Sequence, residues 1–479
     1  MALKLFNTLK REKEEFKPID DGKVRFYSCG QTIYDDLHIG NARAYIYWDT
    51  LTRYMREVKG WNVRHVQNIT DVGHLTDDGD QGEDKVEKRA RELDLEPMEL
   101  VEDQIERYFE DTKALNVKRQ DIVPRATGHI NEMIEYVQEI IENGYAYEVD
   151  GNVYFDMEAF LEDYGYGEMA NKDIEQLKEK AESRVEPDEN KENQYDFALW
   201  LNAEGTGHLM KWNARFEIDD KIVESEGYPG WHLECSVMGQ KYLGERFDIH
   251  AGGKDHIFPH HPNERAQCFA ATGEPQANYW IHNEFITVDG EKMSKSKGNF
   301  YTVRELLEDF EGDTIRLAIV SSHYRTETDF SFQDLEKAEK ELKKVRKTVQ
   351  RTRRSNGTKD FEGLEQKFEN AMDDDLNTAR AKQVLMEAVG RINSLLEKGD
   401  GVADETAGKM IELFGVLGID VDTEISEAEK KMADVLLDRR EELREKEEYA
   451  KADQIRNLMD ELGFEIEDSE EGAEWFKVG

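Results

Sequence analysis

Between Lys23 and Thr70 the sequence spells a strand, a tight turn, a helix and a second strand. This unit limits the folds open to the chain more than any other stretch. Val24, Phe26 and Ser28 alternate with Arg25 and Tyr27, the period of two that a strand requires. His38-Ile39-Gly40-Asn41 supplies the turn, with Gly40 free of side-chain bulk and Asn41 a candidate N-cap. Tyr45, Trp48, Leu51 or Thr52, Met55 and Val58 then recur at helical spacing, and Trp61 to Thr70 gives the second strand. Strands joined through a helix pair in parallel with a right-handed crossover. The expectation is an α/β fold, a Rossmann-type doubly wound parallel sheet with its ligand site at the carboxyl ends of the strands. At the turn, backbone N–H groups and the helix dipole favour an anion.

An anion is also what Gly290-Glu291-Lys292-Met293-Ser294-Lys295-Ser296-Lys297-Gly298 suits. Clustered ammonium groups and hydroxyls stabilise phosphate charge, and flanking glycines let a loop close over a nucleotide and reopen. By itself the stretch fits a solvated basic turn equally well. Together, the two stretches resemble the paired HIGH and KMSKS signatures of class I aminoacyl-tRNA synthetases, in the same order and with the same long separation. Tyr27-Ser28-Cys29-Gly30, Asn68-Ile69-Thr70-Asp71, Gly230-Trp231-His232-Leu233-Glu234-Cys235-Ser236, Phe247-Asp248-Ile249-His250 and Phe258-Pro259-His260-His261 narrow the resemblance to cysteinyl-tRNA synthetase, over nearly the whole chain.

The resemblance implies ATP-dependent attachment of L-cysteine to tRNA(Cys) through a cysteinyl-adenylate. It implies catalytic roles for His38, Asn41, Lys292 and Lys295, and ATP contacts from His38, Ile39, Gly40, Asn41, Lys292, Met293, Ser294, Lys295 and Ser296. Gly30, Thr70, Trp231 and Asp255 would hold the rest of the amino acid, although Thr70 and Trp231 read equally well as packing residues. Cys29, Cys235, His260 and Glu264 would bind one Zn2+ per chain, and Mg2+ would accompany ATP. Two thiolates, an imidazole and a carboxylate suit tetrahedral zinc, and His260 and Glu264, four apart, share a helix face. The chain has no Cys-x-x-Cys pair, so spacing alone reads Cys29 and Cys235 as small buried hydrophobes. Cys268 keeps that reading.

Zinc answers a selectivity problem. A pocket separates a hydroxyl-sized mismatch by only about 10²-fold, whereas a soft metal prefers a thiolate outright. No protein nucleophile is needed, since positioning and charge stabilisation suffice. Two places depart from the family pattern: Pro262 stands where Glu is usual, and residues 212–227 replace a shorter turn, reading as a solvated loop near the substrate entrance. Asn41 is a variant that the family tolerates.

The charge argues the other way. With 106 acidic and 64 basic residues, net charge −42, the chain should repel a polyanion such as tRNA at ordinary salt. At about molar ionic strength the Debye length is only ~3 Å, so diffuse repulsion is screened and short contacts survive. A halophilic source is expected. Three scattered cysteines suit a reducing compartment. The sequence has no charged leader followed by an apolar run and no apolar stretch long enough to cross a bilayer, so the expectation is a cytoplasmic protein with no membrane contact; a monomer is expected.

The expected organisation is a catalytic domain over 1–330 with an insertion at about 120–226 and the lysine loop at 290–298, a helical tRNA-binding bundle over 331–425, and a small anticodon-side α+β module over 426–479. In so acidic a chain, the cluster Lys343-Lys344-Val345-Arg346-Lys347, Arg351, Arg353 and Arg354 is the candidate contact for the tRNA backbone. Two rival readings are a ligase that hands activated cysteine to an amino-sugar acceptor and an inactive tRNA chaperone. The first lacks the helical extension after Phe332; the second is disfavoured by both signature lysines and all four ligand types.

Overall fold

The computed structural model describes residues 2–76, 80, 82–170, 176, 190–288, 290–293, 298–355, 357–358, 361–469 and 472–479. Strands β1 (Lys4–Asn7) and β2 (Glu12–Glu15) form an antiparallel hairpin. β3 (Lys23–Thr32), α1 (Ile39–Arg53) and β4 (Asn62–Thr70) then make the βαβ unit, with β3 and β4 parallel. Ile39, Ala42, Tyr45, Ile46, Tyr47, Trp48 and Leu51 of α1 are all buried, because other elements cover this helix on nearly every side.

Between β4 and the return to the main sheet lie α2 (Lys85–Leu93), α3 (Pro97–Ala114), α4 (Ile130–Glu142) and a second sheet. That sheet contains β5 (Ala146–Val149), β6 (Asn152–Phe155), β7 (Phe197–Asn202), β8 (Trp212–Ile218) and β9 (Lys221–Pro229), with α5 (Met157–Asp163) after β6. Its strands are antiparallel in the order β5-β6-β7-β9-β8. The expectation of a solvated loop at 212–227 is therefore corrected to a hairpin. Ala214 and Phe216 are buried while Asn213, Arg215 and Glu217 are exposed. Asp219 and Asp220 turn the chain with φ of 52° and 61°, the left-handed pair that a tight hairpin needs.

The chain rejoins the main sheet through α6 (Trp231–Leu243), β10 (Phe247–Gly253), α7 (His260–Thr272) and β11 (Ala277–Asn283). The sheet runs β11-β10-β3-β4, all parallel. Connections leave β3 and β10 in opposite directions, so a crevice opens at their carboxyl ends. The N-terminal hairpin covers the β11 edge, Thr8 N donating to Trp280 O at 2.8 Å. β12 (Ile286–Val288) pairs antiparallel with β13 (Glu291–Lys292) and parallel with β14 (Thr328–Phe330), with α8 (Val303–Leu307) and α9 (Gly312–Val320) between.

Helices α10 (Phe332–Arg354), α11 (Leu364–Met372), α12 (Thr378–Glu397) and α13 (Asp404–Val416) follow, and one continuous apolar core joins them to the parallel sheet. The remaining elements, α14 (Glu427–Glu445), α15 (Tyr449–Glu461), β15 (Phe464–Ser469) and β16 (Gly472–Lys477), close around a separate core of Ala433, Met459, Phe464, Ile466 and Trp475. The basic cluster of α10 faces this last module. Lys347 pairs with Glu465 and Glu467 at 2.5 and 2.8 Å, Arg346 with Glu311 at 2.7 Å, and Arg351 and Arg353 with Glu467 and Asp422. Lys347 and Arg351, with Arg346 Nη1 donating to Val478 O at 2.6 Å, fasten the module to the bundle, while Glu311 and Asp422, outside the module, engage Arg346 and Arg353, so these four cations are poor candidates for tRNA. Among the described residues, no helix is long and apolar enough to cross a membrane.

Candidate active site and metal centre

The crevice between β3 and β10 begins with an irregularity. Pairing of β3 with β4 shifts register between Ser28 and Gln31, and a shift of this kind re-aims the side chains inside it. Cys29 and Gly30 lie in that interval. Gly30 N donates to Asn68 Oδ1 at 2.8 Å, and a Cβ on Gly30 would stand 1.6 Å from Asn68 O, so only glycine fits.

Cys29 Sγ is 4.0 Å from Cys235 Sγ on α6. From the first turn of α7, His260 Nε2 comes within 3.0 Å of Glu264 Oε1. Pro262 occupies that first turn, where a missing N–H costs nothing. The structure thus brings Cys29, Cys235, His260 and Glu264 together, all buried, with one donor atom from each lying within 4.8 Å of the others. A second set, Cys29, His250, His261 and Glu264, meets the same condition. His250 Nε2 lies 2.7 Å from Glu264 Oε2, while Glu264 Oε1 is buried with no hydrogen-bond partner. A buried carboxylate oxygen that makes no hydrogen bond, faces the His260 imidazole at 3.0 Å and is oriented by His250 fits a metal ligand. His261 Nε2 lies 3.2 Å from Cys29 Sγ, His261 Nδ1 2.8 Å from His282 Nε2, and His282 Nδ1 2.8 Å from Thr8 Oγ1. With Cys29 as thiolate this chain runs one way, each proton pointing toward the sulfur.

Burial sets the electrostatics. It pushes the Cys29 and Cys235 thiols and the Glu264 carboxyl up, and holds the His260 imidazole well below its ordinary value. The His250 imidazole is brought down to about 3, again by burial. Each group left to itself stays uncharged; a divalent cation is the partner that makes thiolates and carboxylate favourable together.

Around this centre, Trp231 stacks on His74 with centroids 3.8 Å apart and tilts over His260 at 4.4 Å. Thr70 is buried, its hydroxyl donating to Glu234 Oε2 at 2.7 Å. Asp255 is exposed in the turn after β10, 3.7 Å from His256 Nε2. Of the histidines in this cluster, only His260 carried an expected role. His261 was within reach, since it shares a helix face with Glu264 three residues on. His250, His282 and Glu234 meet partners on other elements, which no spacing announces.

The turn at 38–41, expected to receive phosphate, departs from expectation in one detail. His38, not Asn41, caps α1: its Nδ1 accepts from Gly40 N and Asn41 N at 3.1 and 3.4 Å. In its neutral form that imidazole carries its proton on Nε2. The lysine loop begins beside it. Ile39 N donates to Tyr301 O and Val303 N to Leu37 O, and a Cβ on Gly40 would come 2.9 Å from Met293 Cε. Asp329 Oδ1 accepts from Gly290 N at 2.8 Å and from Thr287 Oγ1 at 2.9 Å, pinning one foot of the loop. Lys292 lies in β13; Ser294, Lys295 and Ser296 lie outside the described residues.

Comparison with known proteins agrees in order and extent. The family model described as "tRNA synthetases class I (C) catalytic domain" matches residues 15–340, and that of the DALR domain matches 367–422. The chain is 42% identical over 495 residues to a cysteine--tRNA ligase of Chlorobaculum tepidum, covering 99% of both chains. It is 40% identical over 494 residues to that of Bacteroides fragilis, covering 99% of this chain and 98% of the relative. In fold it is similar to the LeuRS of Agrobacterium radiobacter K84 in a ternary complex with tRNA (TM-score 0.60, 12% identity, 84% of each chain). It is also similar in fold to methionyl-tRNA synthetase of Mycobacterium tuberculosis (TM-score 0.56, 14% identity, 87% of this chain and 94% of that one).

Proposed function

We infer the mechanism from the premise that this chain belongs to the cysteine--tRNA ligase family of class I aminoacyl-tRNA synthetases: it is a ligase, and it charges tRNA with cysteine. The cysteine carboxylate attacks the α-phosphorus of ATP, pyrophosphate leaves, and the adenylate passes its cysteinyl group to the terminal adenosine of tRNA(Cys). Mg2+ travels with ATP.

His38 caps α1 through Nδ1, and its Nε2–H would donate to phosphate oxygens, with the positive end of the α1 dipole and the Asn41 side chain adding to it. Gly40 leaves the adenine room to lie against bare backbone. Lys292, with Lys295, Ser294 and Ser296 on the same loop, follows the departing pyrophosphate. Gly30, Thr70, Trp231 and Asp255 surround the amino acid. Cys29, Cys235, His260 and Glu264 hold one zinc ion, which supplies a soft Lewis acid for the substrate thiol that serine's hydroxyl cannot match. The helical domain after Phe332, part of which matches the DALR model, takes the anticodon side of tRNA; an amino-sugar ligase has no use for it.

The observation that carries this reading is the meeting of four buried donors from β3, α6 and α7, with Glu264 Oε1 making no hydrogen bond. Metal analysis of the purified protein should find one zinc per chain, and stripping it should abolish cysteine-dependent pyrophosphate exchange, restored by added zinc. Zinc-free protein that still activates cysteine and rejects serine would overturn the assignment.

A further inference from the structure

Glu234 sits one residue before Cys235 on α6 and is fully buried. Its Oε2 accepts the proton of Thr70 Oγ1 at 2.7 Å. Its Oε1 has no hydrogen-bond partner among the described residues and faces the bare backbone of Gly73, where an added Cβ would stand 3.7 Å away. Thr70 Oγ1 also receives Asn68 Nδ2 at 3.0 Å, and Asn68 Oδ1 is held in turn by Gly30 N.

A hydroxyl has one proton and two lone pairs. Asn68 Nδ2 takes one lone pair, and with Glu234 Oε2 unprotonated the hydroxyl proton goes to that oxygen. The lone pair that remains can only accept. Thr70 closes β4 at the mouth of the crevice, two strand residues from the Asn68 that fixes Gly30, and is 3% exposed, so water does little to fill that place.

We propose that Glu234 is a positioning residue for the amino-acid substrate: by claiming the Thr70 proton, it turns the hydroxyl into an acceptor for the α-ammonium of cysteine. Glu234 touches neither substrate nor metal; it acts through Thr70. The inference rests on the reading of Thr70 as a substrate contact. A hydroxyl free to rotate would present its proton to the ammonium part of the time and lose the contact. A fixed one selects ligands that carry a cation at the α-carbon. The same thiol without its amino group, 3-mercaptopropionate, gains nothing from the arrangement.

The test uses the full zinc-loaded chain and ATP–pyrophosphate exchange. Glu234→Ala should raise the KM for cysteine roughly 10- to 100-fold, the range for one hydrogen bond to a charged group. The KM for ATP and the zinc content should hold, and inhibition by 3-mercaptopropionate should keep its constant. Thr70→Val should raise the cysteine KM similarly, and adding Glu234→Ala to it should change little more. Should Glu234→Ala fail to fold, Glu234→Leu, which fills the volume, takes its place in the same series. If Thr70→Val leaves the cysteine KM unchanged, the reading of Thr70 itself falls. If Thr70→Val raises it but the Glu234 variant does not, or if 3-mercaptopropionate weakens in parallel with cysteine, the role of Glu234 is overturned while that of Thr70 stands.

Discussion

His38 divides two tasks between two nitrogens, and they can be separated. Nδ1 caps α1 through Gly40 N and Asn41 N, while Nε2–H is the donor proposed for the phosphates of ATP. Asparagine is among the best N-caps, whereas alanine at such a site costs about 1 kcal/mol. His38→Asn should therefore melt within about 2 °C of the parent while its pyrophosphate exchange falls about 10²–10³-fold, the cost of losing one preorganised donor. His38→Ala should lose both. Exchange near the parent's in His38→Asn would mean that the histidine is only a cap. At this scale the sequence was readable where a short run sets local geometry: the turn before α1 stands at 38–41 as expected, with the cap moved from Asn41 to His38. It was silent where chemistry depends on convergence. Cys29 and Cys235 are 206 positions apart and meet at 4.0 Å, and without a paired motif nothing in the residues themselves distinguishes them from packing cysteines; only resemblance to a family singled them out. His250 against Glu264, and Glu234 against Thr70, were invisible for the same reason.

Elements were legible where periodicity is strong. The alternation in β3 and the helical repeat in α1 gave the βαβ unit, and from it the parallel sheet. The β8–β9 hairpin was missed because charges on its exposed positions hide a two-residue period that, in β8, Ala214 and Phe216 alone mark as fully buried. Its Asp219-Asp220 turn lacks the glycine that usually signals a tight hairpin. Contacts between elements were less legible still. Arg316 on α9 is fully buried and donates to Asp49 of α1 at 2.5 Å, to Leu417 O at 2.6 Å and to Leu115 O at 3.1 Å, tying three segments together. Gly418 makes room for it: its φ is +73°, and a Cβ there would lie 2.1 Å from Arg316 Cζ. Gly418→Ala must displace a buried guanidinium from its partners, which costs about 3–5 kcal/mol. Gly399 has the same φ of +73° with nothing within 4 Å, so Gly399→Ala carries only the backbone term, about 1–2 kcal/mol. Unfolding midpoints of the two variants should differ accordingly; equal midpoints would show that Arg316 moves aside freely and that the tie is weak.

For the whole molecule the question is how a chain of net charge −42 handles a polyanion. The α10 cations do not help, because Arg346, Lys347, Arg351 and Arg353 are paired with carboxylates, and Arg351 and Arg354 also lie over the rings of Phe476 and Trp475 at 4.7 and 5.1 Å. Diffuse repulsion between enzyme and tRNA is then the dominant long-range term at low salt, and repulsion within the acidic surface works against the fold as well. Raising salt weakens both, since the Debye length falls from about 10 Å at 0.1 M to ~3 Å at 1 M. It also weakens exposed ion pairs, but these are worth about 0–1 kcal/mol each, and the apolar core of the terminal module does not depend on them. Most nucleic-acid contacts show the opposite trend, losing affinity steeply as salt rises. Raising KCl from about 0.1 to about 2 M, at most ~3 Å of screening length at the upper end, should therefore lower the KM for tRNA and raise the melting temperature. Pyrophosphate exchange, which needs no tRNA, should respond only through stability, and comparing the two assays on one preparation isolates the repulsion between the partners. A tRNA KM that climbs with KCl, together with a fold fully stable in dilute buffer, would mean that the acidic surface serves solubility alone and that tRNA meets a local basic face.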